Sequence, residues 1–238
     1  MTKEESYPQN EPEFNTALSL SLVIFGFNGI ELQVLTVPSS FSPFKGALIL
    51  PSRYLRAKDE LLLSARKLFE GLVGEQNEIT IEQLRAFGGV YRHPTGRVIN
   101  VPHYALVKKV DFNHGKWSEL GLKWHSAKMV PDLAYDHNEI VDYALERIKR
   151  RVKRRPVGFH LLGEEFTLGQ LQNLYESALG KKFDRRNFRK KLFNTTLIID
   201  LESESDGREN GQKKGSKLYK FNSEAYNKMK IQGYDFLF

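Results

Sequence analysis

Apolar and polar positions alternate near the start of the chain, which predicts a pair of strands. Leu18, Leu20 and Leu22 stand at every second position with serines between them, and Asn28-Gly29 separates this run from Ile30-Glu31-Leu32-Gln33-Val34. Asn-Gly between two such runs is a hairpin signal, because a tight turn joining right-twisted strands needs residues that tolerate positive φ. After a loop rich in proline and serine, from 38 to 51, the period lengthens. Leu61, Ala65, Leu68, Phe69 and Leu72 recur at helical spacing until Gly74, so a helix is expected over 58–73. Strand-like runs follow at 79–87, where a helix is almost equally compatible, and at 98–110. From His137 the apolar positions Ile140, Val141, Ala144, Leu145, Ile148 and Val152 predict a long helix that ends in a cationic run before Pro156.

Beyond Pro156 two helices and a hairpin are expected. Thr167-Leu168-Gly169-Gln170 has the form of a capping box, Leu168, Leu171, Leu174, Tyr175 and Leu179 supply one buried face, and Gly180 ends the helix. Next comes Asp184-Arg185-Arg186-Asn187-Phe188-Arg189-Lys190-Lys191-Leu192-Phe193. Asp184 suits the N-cap, while Phe183 and Phe188 hold the two positions of a hydrophobic staple. At about 100° per residue, Phe188 and Leu192 share one side of this helix, with Arg186 and Lys190 opposite and Arg189 beside them. A strand at 197–199, a Gly/Ser/charged stretch at 202–216 and a return strand at 218–221 complete a winged helix-turn-helix plan.

The 238 residues, 40% hydrophobic, suffice for one large or two ordinary domains. The expected division is a polar tail over 1–15, a first domain over 16–155 and a second over 156–238. The most apolar stretch, Leu18 to Phe27, is interrupted by Ser19, Ser21 and Gly26, well short of the roughly 18 residues of a membrane span. The N-terminus is polar and acidic, unlike a signal peptide. Without cysteine there is neither a disulfide nor a thiolate metal site, in keeping with a reducing cytoplasm.

The net charge of +7 is unevenly placed: Lys+Arg and Asp+Glu number 18 and 18 over residues 1–150, but 18 and 11 over 151–238. A basic excess confined to the C-terminal third, which holds the predicted winged helix and the cationic run before it, points to duplex DNA, against the plainer readings of a solvated surface or a dock for an acidic protein. Arg185, Arg186 and Asn187 are placed for base edges or nearby phosphates, since Arg matches guanine and Asn adenine. Arg189, Lys190 and Lys191 are assigned to phosphates, as are Lys213, Lys214 and Lys217 of the wing. Two copies of such a helix require a near-palindromic operator. No Ser-His-Asp or Cys-His arrangement is present, His125 and His137 lack metal-ligand spacing, and Gly88-Gly89 alone does not make a phosphate loop. No catalytic residue, metal ligand or cofactor is expected.

The Nudix signature, Gly-x5-Glu-x7-Arg-Glu-U-x-Glu-Glu-x-Gly-U with U aliphatic, can be laid on Ser52 to Gly74. Arg66, Leu68 and Glu70 agree with it, but Ser52, Lys58, Lys67, Gly71 and Val73 replace its glycines and three of its glutamates. The chain as a whole resembles the Nudix-related transcriptional regulators. That resemblance rests on Phe25-Gly26-Phe27, on Ala86 through Pro94 with Gly96-Arg97-Val98, on His103-Tyr104-Ala105-Leu106, on Asp136-His137, and on Phe166-Thr167-Leu168 through Lys191-Leu192. It implies a Nudix-like α/β/α sandwich followed by a C-terminal winged helix, and a homodimer that binds DNA and responds to ADP-ribose or to a sugar such as arabinose. It also implies that the segments carrying Arg53, Tyr54, Arg92, His93, Arg97, His103 and Tyr104 line the effector cleft. With the metal-binding glutamates replaced at Lys67 and Gly71, hydrolysis is not expected, and a sugar effector, hence a regulator of pentose use, is preferred. The competing expectation is a Nudix hydrolase acting on a nucleoside diphosphate compound, with a basic domain that only brings it to nucleic acid.

Overall fold

The computed structural model describes residues 15–74, 80–108, 119–154, 157–201 and 217–231; the expected tail falls almost wholly outside them. Strand β1 (Ala17–Phe27) organises the first part of the chain. Its first half lies between an antiparallel β4 (Ser52–Tyr54) and a parallel β6 (Val98–Asn100). Its second half lies between an antiparallel β2 (Leu32–Pro38) and a parallel β7 (His103–Lys108). Outside these, β3 (Leu48–Ile49) and β8 (Lys123–Ser126) pair with β2, and β5 (Thr80–Gln83) pairs with β7.

A strand paired on both edges and covered on both faces has no solvent side, and every residue of β1 from Ser19 to Phe27 is buried. Leu20, Leu22 and Ile24 pack with Ala65, Phe69 and Val73 of α1 (Leu61–Val73). Val23, Phe25 and Phe27 belong to the cluster that holds Ile140, Val141, Ala144 and Ile148 of α2 (His137–Arg154). The two parities of one strand thus serve two helices on opposite faces, which is the expected α/β/α sandwich. The serines between the leucines are inside as well: Ser21 is fully buried and accepts a hydrogen bond from Asn100 Nδ2 at 3.0 Å.

The hairpin forms, with a longer turn than two residues. Asn28 Oδ1 accepts from the amides of Ile30 (2.9 Å) and Glu31 (2.8 Å), and Gly29 takes φ +92, so Ile30 and Glu31 belong to the turn and β2 starts at Leu32. The first helix begins at Leu61, three residues later than expected, and the loop at 38–51 contains β3. The ambiguous 79–87 run yields the strand β5, whose register on β7 is antiparallel. The 98–110 run is interrupted at Pro102, which has no amide for the ladder, and becomes β6 and β7. Strands β4 and β8, three and four residues long, were not foreseen.

In the last part of the chain, α3 (Leu168–Leu179) starts at a complete capping box, with Thr167 and Gln170 bonded reciprocally, and ends at Gly180 in the left-handed conformation, φ +70. Helix α4 (Arg185–Phe193) follows, then β10 (Ile198–Asp200), β11 (Leu218–Phe221) and α5 (Ser223–Ile231). β11 pairs antiparallel with β10 and, on its other edge, with β9 (Glu165–Thr167). One apolar cluster continues from Val23 and Phe25 through α2 to Leu171, Tyr175, Phe188, Leu192 and Tyr219. Among the described residues no helix is long and apolar enough to cross a membrane.

Gly26 of β1 lies under the indole of Trp124 on β8, where a methyl group would stand 2.8 Å from one ring carbon and 3.0 Å from another. Gly26→Ala is therefore expected to lower the unfolding free energy by about 1–3 kcal/mol through overpacking, read as a fall in the urea midpoint. An unchanged midpoint would show that the indole has room to move aside.

Candidate nucleic-acid interface and ligand cleft

Helix α4 is held at its start and on one face. Asp184 Oδ1 accepts from the amide of Asn187 at 2.9 Å, and the Phe183 and Phe188 rings meet with centroids 5.7 Å apart. Phe188 and Leu192 are buried, and Tyr175 of α3 meets the Phe188 ring edge-on at 6.0 Å. Arg185, Arg186, Asn187, Arg189, Lys190 and Lys191 are all exposed, and none of these five cations has a carboxylate partner among the described residues. A short helix presenting that much charge without counter-charge attracts polyanions. Lys217 reaches across the β10–β11 pair to Asp200 at 3.4 Å, and Lys213 and Lys214 lie outside the described residues.

The second site is a cleft of about 280 Å³ over the β1, β4 and β6 end of the sandwich. It brings together Arg53, Tyr54, Arg92 and His93 from the expected set and adds Tyr135 and His137 from the approach to α2. Arg92 is almost fully buried and clamps Asp136 through Nε (2.8 Å) and Nη2 (2.6 Å); Arg53 pairs with Asp59 at 3.0 Å. Both guanidinium groups therefore already face a carboxylate. The His93 ring stacks on Tyr135, centroids 5.0 Å apart and 14° from parallel. The Thr95 amide donates to His93 Nδ1 (3.3 Å), which leaves the ring proton on Nε2 to donate to the Tyr54 hydroxyl oxygen at 2.8 Å. The hydroxyl proton of Tyr54 is then available to a ligand. Burial lowers the His93 pKa and keeps the ring neutral.

Three expected residues are elsewhere, and the expectation for them is corrected. Arg97 donates from Nη1 to the carbonyls of Gly88 (2.7 Å) and Gly89 (3.0 Å), bracing that loop from below. His103 and Tyr104 lie on β7 inside the sandwich: His103 Nδ1 is bonded to the Val101 carbonyl, and the Tyr104 hydroxyl accepts from Arg151 of α2 at 3.1 Å. A central strand buries both its faces, so neither residue can reach the cleft. The sequence had missed Tyr135, which sits at φ +63, a conformation rare for a bulky side chain and one that no neighbouring residue announces.

Residues 158–221 match the family model of the NrtR DNA-binding winged helix domain. The ADPR responsive transcriptional repressor NtrR of Acinetobacter baylyi is 27% identical over 228 residues, spanning 93% of this chain and 85% of that protein. The crystal structure of Shewanella oneidensis NrtR aligns with a TM-score of 0.73 at 26% identity, covering 93% of this chain and 98% of that one. The same protein complexed with a 27mer DNA gives the same TM-score and identity over 92% of this chain and 97% of that one. The chain is thus similar along most of its length to NrtR-type regulators, and its last part matches their winged helix. A MutT/nudix family protein from Enterococcus faecalis shares the fold, with a TM-score of 0.65 at 21% identity over 88% of this chain and 89% of that one.

The Nudix signature gathers divalent cations on a cluster of carboxylates, and the residues at its positions here do not fit one. Lys58, Lys67 and Gly71 occupy three glutamate positions, and no three His, Asp or Glu side chains among the described residues are grouped so as to hold a metal ion. His137, at the N-terminal end of α2, is structural: it is buried and its Nδ1 accepts from the Leu50 amide at 3.0 Å. Burial pulls its pKa from 6.5 down to about 4. The folded ring resists a proton that the unfolded chain takes up readily, so this contribution to stability is complete above pH 6.5 and is lost as pH falls toward about 4. His137→Gln, which keeps an acceptor but does not titrate, should lose less melting temperature than the wild-type chain between about pH 7 and pH 4. Parallel declines would place the acid sensitivity in other groups.

Proposed function

We propose that this chain is a ligand-responsive transcriptional regulator that binds a near-palindromic duplex operator as a homodimer in the cytoplasm. Residues 16–155 form its effector domain and 156–238 its DNA-binding domain. The observation that carries the reading is α4: a capped helix, anchored through Phe188 and Leu192, whose five cations are exposed and without carboxylate partners among the described residues. Arg185, Arg186 and Asn187 at its N-terminal end read base edges, while Arg189, Lys190, Lys191 and the wing lysines 213, 214 and 217 hold phosphates. The Nudix-like part senses and does not hydrolyse, since a lysine and a glycine stand where the signature's glutamates would gather cations.

The cleft favours a small polyhydroxylated ligand, and with it a role in pentose use. Arg53 and Arg92 are already neutralised by Asp59 and Asp136, so a diphosphate would have to displace a carboxylate to be bound. A stacked His93–Tyr135 wall and the Tyr54 hydroxyl suit the C–H faces and hydroxyl groups of a sugar. ADP-ribose is the second reading, favoured by the ADPR-responsive repressor that the chain resembles along most of its length.

Two measurements test this. Replacing Arg186 and Arg189 by Ala should lower affinity for a duplex enriched from a random library by about a hundredfold, two phosphate or base contacts at about 1–3 kcal/mol each, with the melting temperature unchanged. Undiminished binding would remove α4 from the interface. A thermal-shift screen of the full chain should show a rise with a pentose and none with ADP-ribose, because a ligand that binds only the native state stabilises it by mass action. A rise with ADP-ribose alone would reverse the choice of effector, and phosphate release from it in magnesium or manganese, abolished by Glu70→Gln, would make the protein an enzyme.

A further inference from the structure

Helix α3 carries two i, i+4 side-chain pairs, Gln172 with Glu176 and Asn173 with Ser177, which leave the helix about 100° apart. The first pair grips the turn into α4. Glu176, buried, accepts at Oε1 from the Phe183 amide (3.0 Å) and from Gln172 Nε2 (2.9 Å), and at Oε2 from Lys182 Nζ (2.7 Å). Gln172 Nε2 also donates to the Phe183 carbonyl at 3.0 Å. Burial alone would push the Glu176 carboxyl up, but the hydrogen bonds from Lys182, Phe183 and Gln172 outweigh it and hold the group down to about 2. Phe183 is also the residue that staples the first turn of α4, so this grip fixes where the basic helix begins.

The second pair grips the β1–β2 turn. Asn173 Nδ2 donates to the Gly29 carbonyl at 3.1 Å, and Ser177 Oγ accepts from the Leu32 amide at 2.8 Å. The far end of the same hairpin builds the ligand cleft, lined by Ser19 of β1 and by Val37, Pro38 and Ser39 at the end of β2. From Ser19 to Gly29 an extended strand spans about 33 Å. Two strands, paired with each other beside the turn at Phe25–Phe27 and Leu32–Val34 and held toward the cleft by β4, β6 and β3, therefore have one end in the cleft and the other on the helix that sets α4.

We infer that Gln172 to Ser177 form a two-sided bracket through which the ligand cleft and the DNA-binding helix sense each other, a reading that rests on the regulator function proposed above. Gln172 and Glu176 are positioning residues for α4. Asn173 and Ser177 carry any displacement of the hairpin into α3. Coupling of binding equilibria is reciprocal, so DNA on α4 must alter the hairpin just as a ligand in the cleft alters α4, and the effector need not be known to observe it.

The experiment uses the full chain and a duplex enriched from a random library. Glu176→Ala should lower affinity about tenfold, whereas Glu176→Gln, which keeps an acceptor for the Phe183 amide, should stay within about threefold of wild type, both with the melting transition retained. Gln172→Ala should show a smaller loss of the same kind and serves if Glu176→Ala does not fold. In the wild-type chain, DNA should change amide hydrogen exchange across residues 28–35. In Asn173→Ala/Ser177→Ala, affinity should stay within about threefold while that change disappears. Wild-type affinity in both Glu176→Ala and Gln172→Ala, a hairpin indifferent to DNA in the wild-type chain, or an undiminished response in the double variant would each overturn the bracket. Failure of the wild-type chain to bind any duplex would overturn the regulator reading itself, and the bracket with it.

Discussion

The structure depends on a single strand with no exposed side. Because β1 is bonded along both edges and covered by α1 on one face and α2 on the other, the sheet, the two helices and the cleft at its N-terminal end share one fixed reference. Ser19 and Ser21 are tolerated inside this strand because Asn100 and the backbone of β6 supply partners for their hydroxyl groups. The cost of leaving such groups unpaired sets the local register tightly, since a slip of one residue would exchange the faces served by α1 and α2.

Charge is handled in opposite ways at the two sites. In the cleft, Arg92 and Arg53 are each matched to an aspartate, so the field inside is weak and directional. On α4 the cations have only solvent around them among the described residues, and their field extends outward for a distance set by ionic strength. The first arrangement suits discrimination between small neutral molecules by hydrogen bonding, the second long-range attraction to a polymer of phosphates.

The helices and the winged helix were legible in the sequence because their signals are local: a capping box at Thr167, an N-cap at Asp184, glycine stops at 74 and 180. The strand pairing of β4 and β8 was not, since three or four residues carry no period and their partners lie more than thirty positions away. For the cleft, Arg53, Tyr54, Arg92 and His93 came from resemblance and do lie together, while His103 and Tyr104 were misplaced because a run of alternating residues does not reveal that its strand is covered on both faces. Tyr135 left no trace, as a left-handed backbone at tyrosine is imposed by its surroundings, by the stack on His93 and the Arg92–Asp136 clamp beside it.

The apolar cluster that joins Phe25 to Tyr219 has a consequence for how the two parts of the chain can be varied. The last part of the chain cannot be exchanged for another winged helix without disturbing the first, because Leu171, Tyr175 and Phe159 belong to the same packed interior as Ile148 and Val152. A chimaera would have to transplant the facing surfaces of α2 and α3 together. The outer face of α4, where Arg186 and Lys190 are exposed and belong to no part of that interior, is by contrast free to change without disturbing the packing between the two parts of the chain.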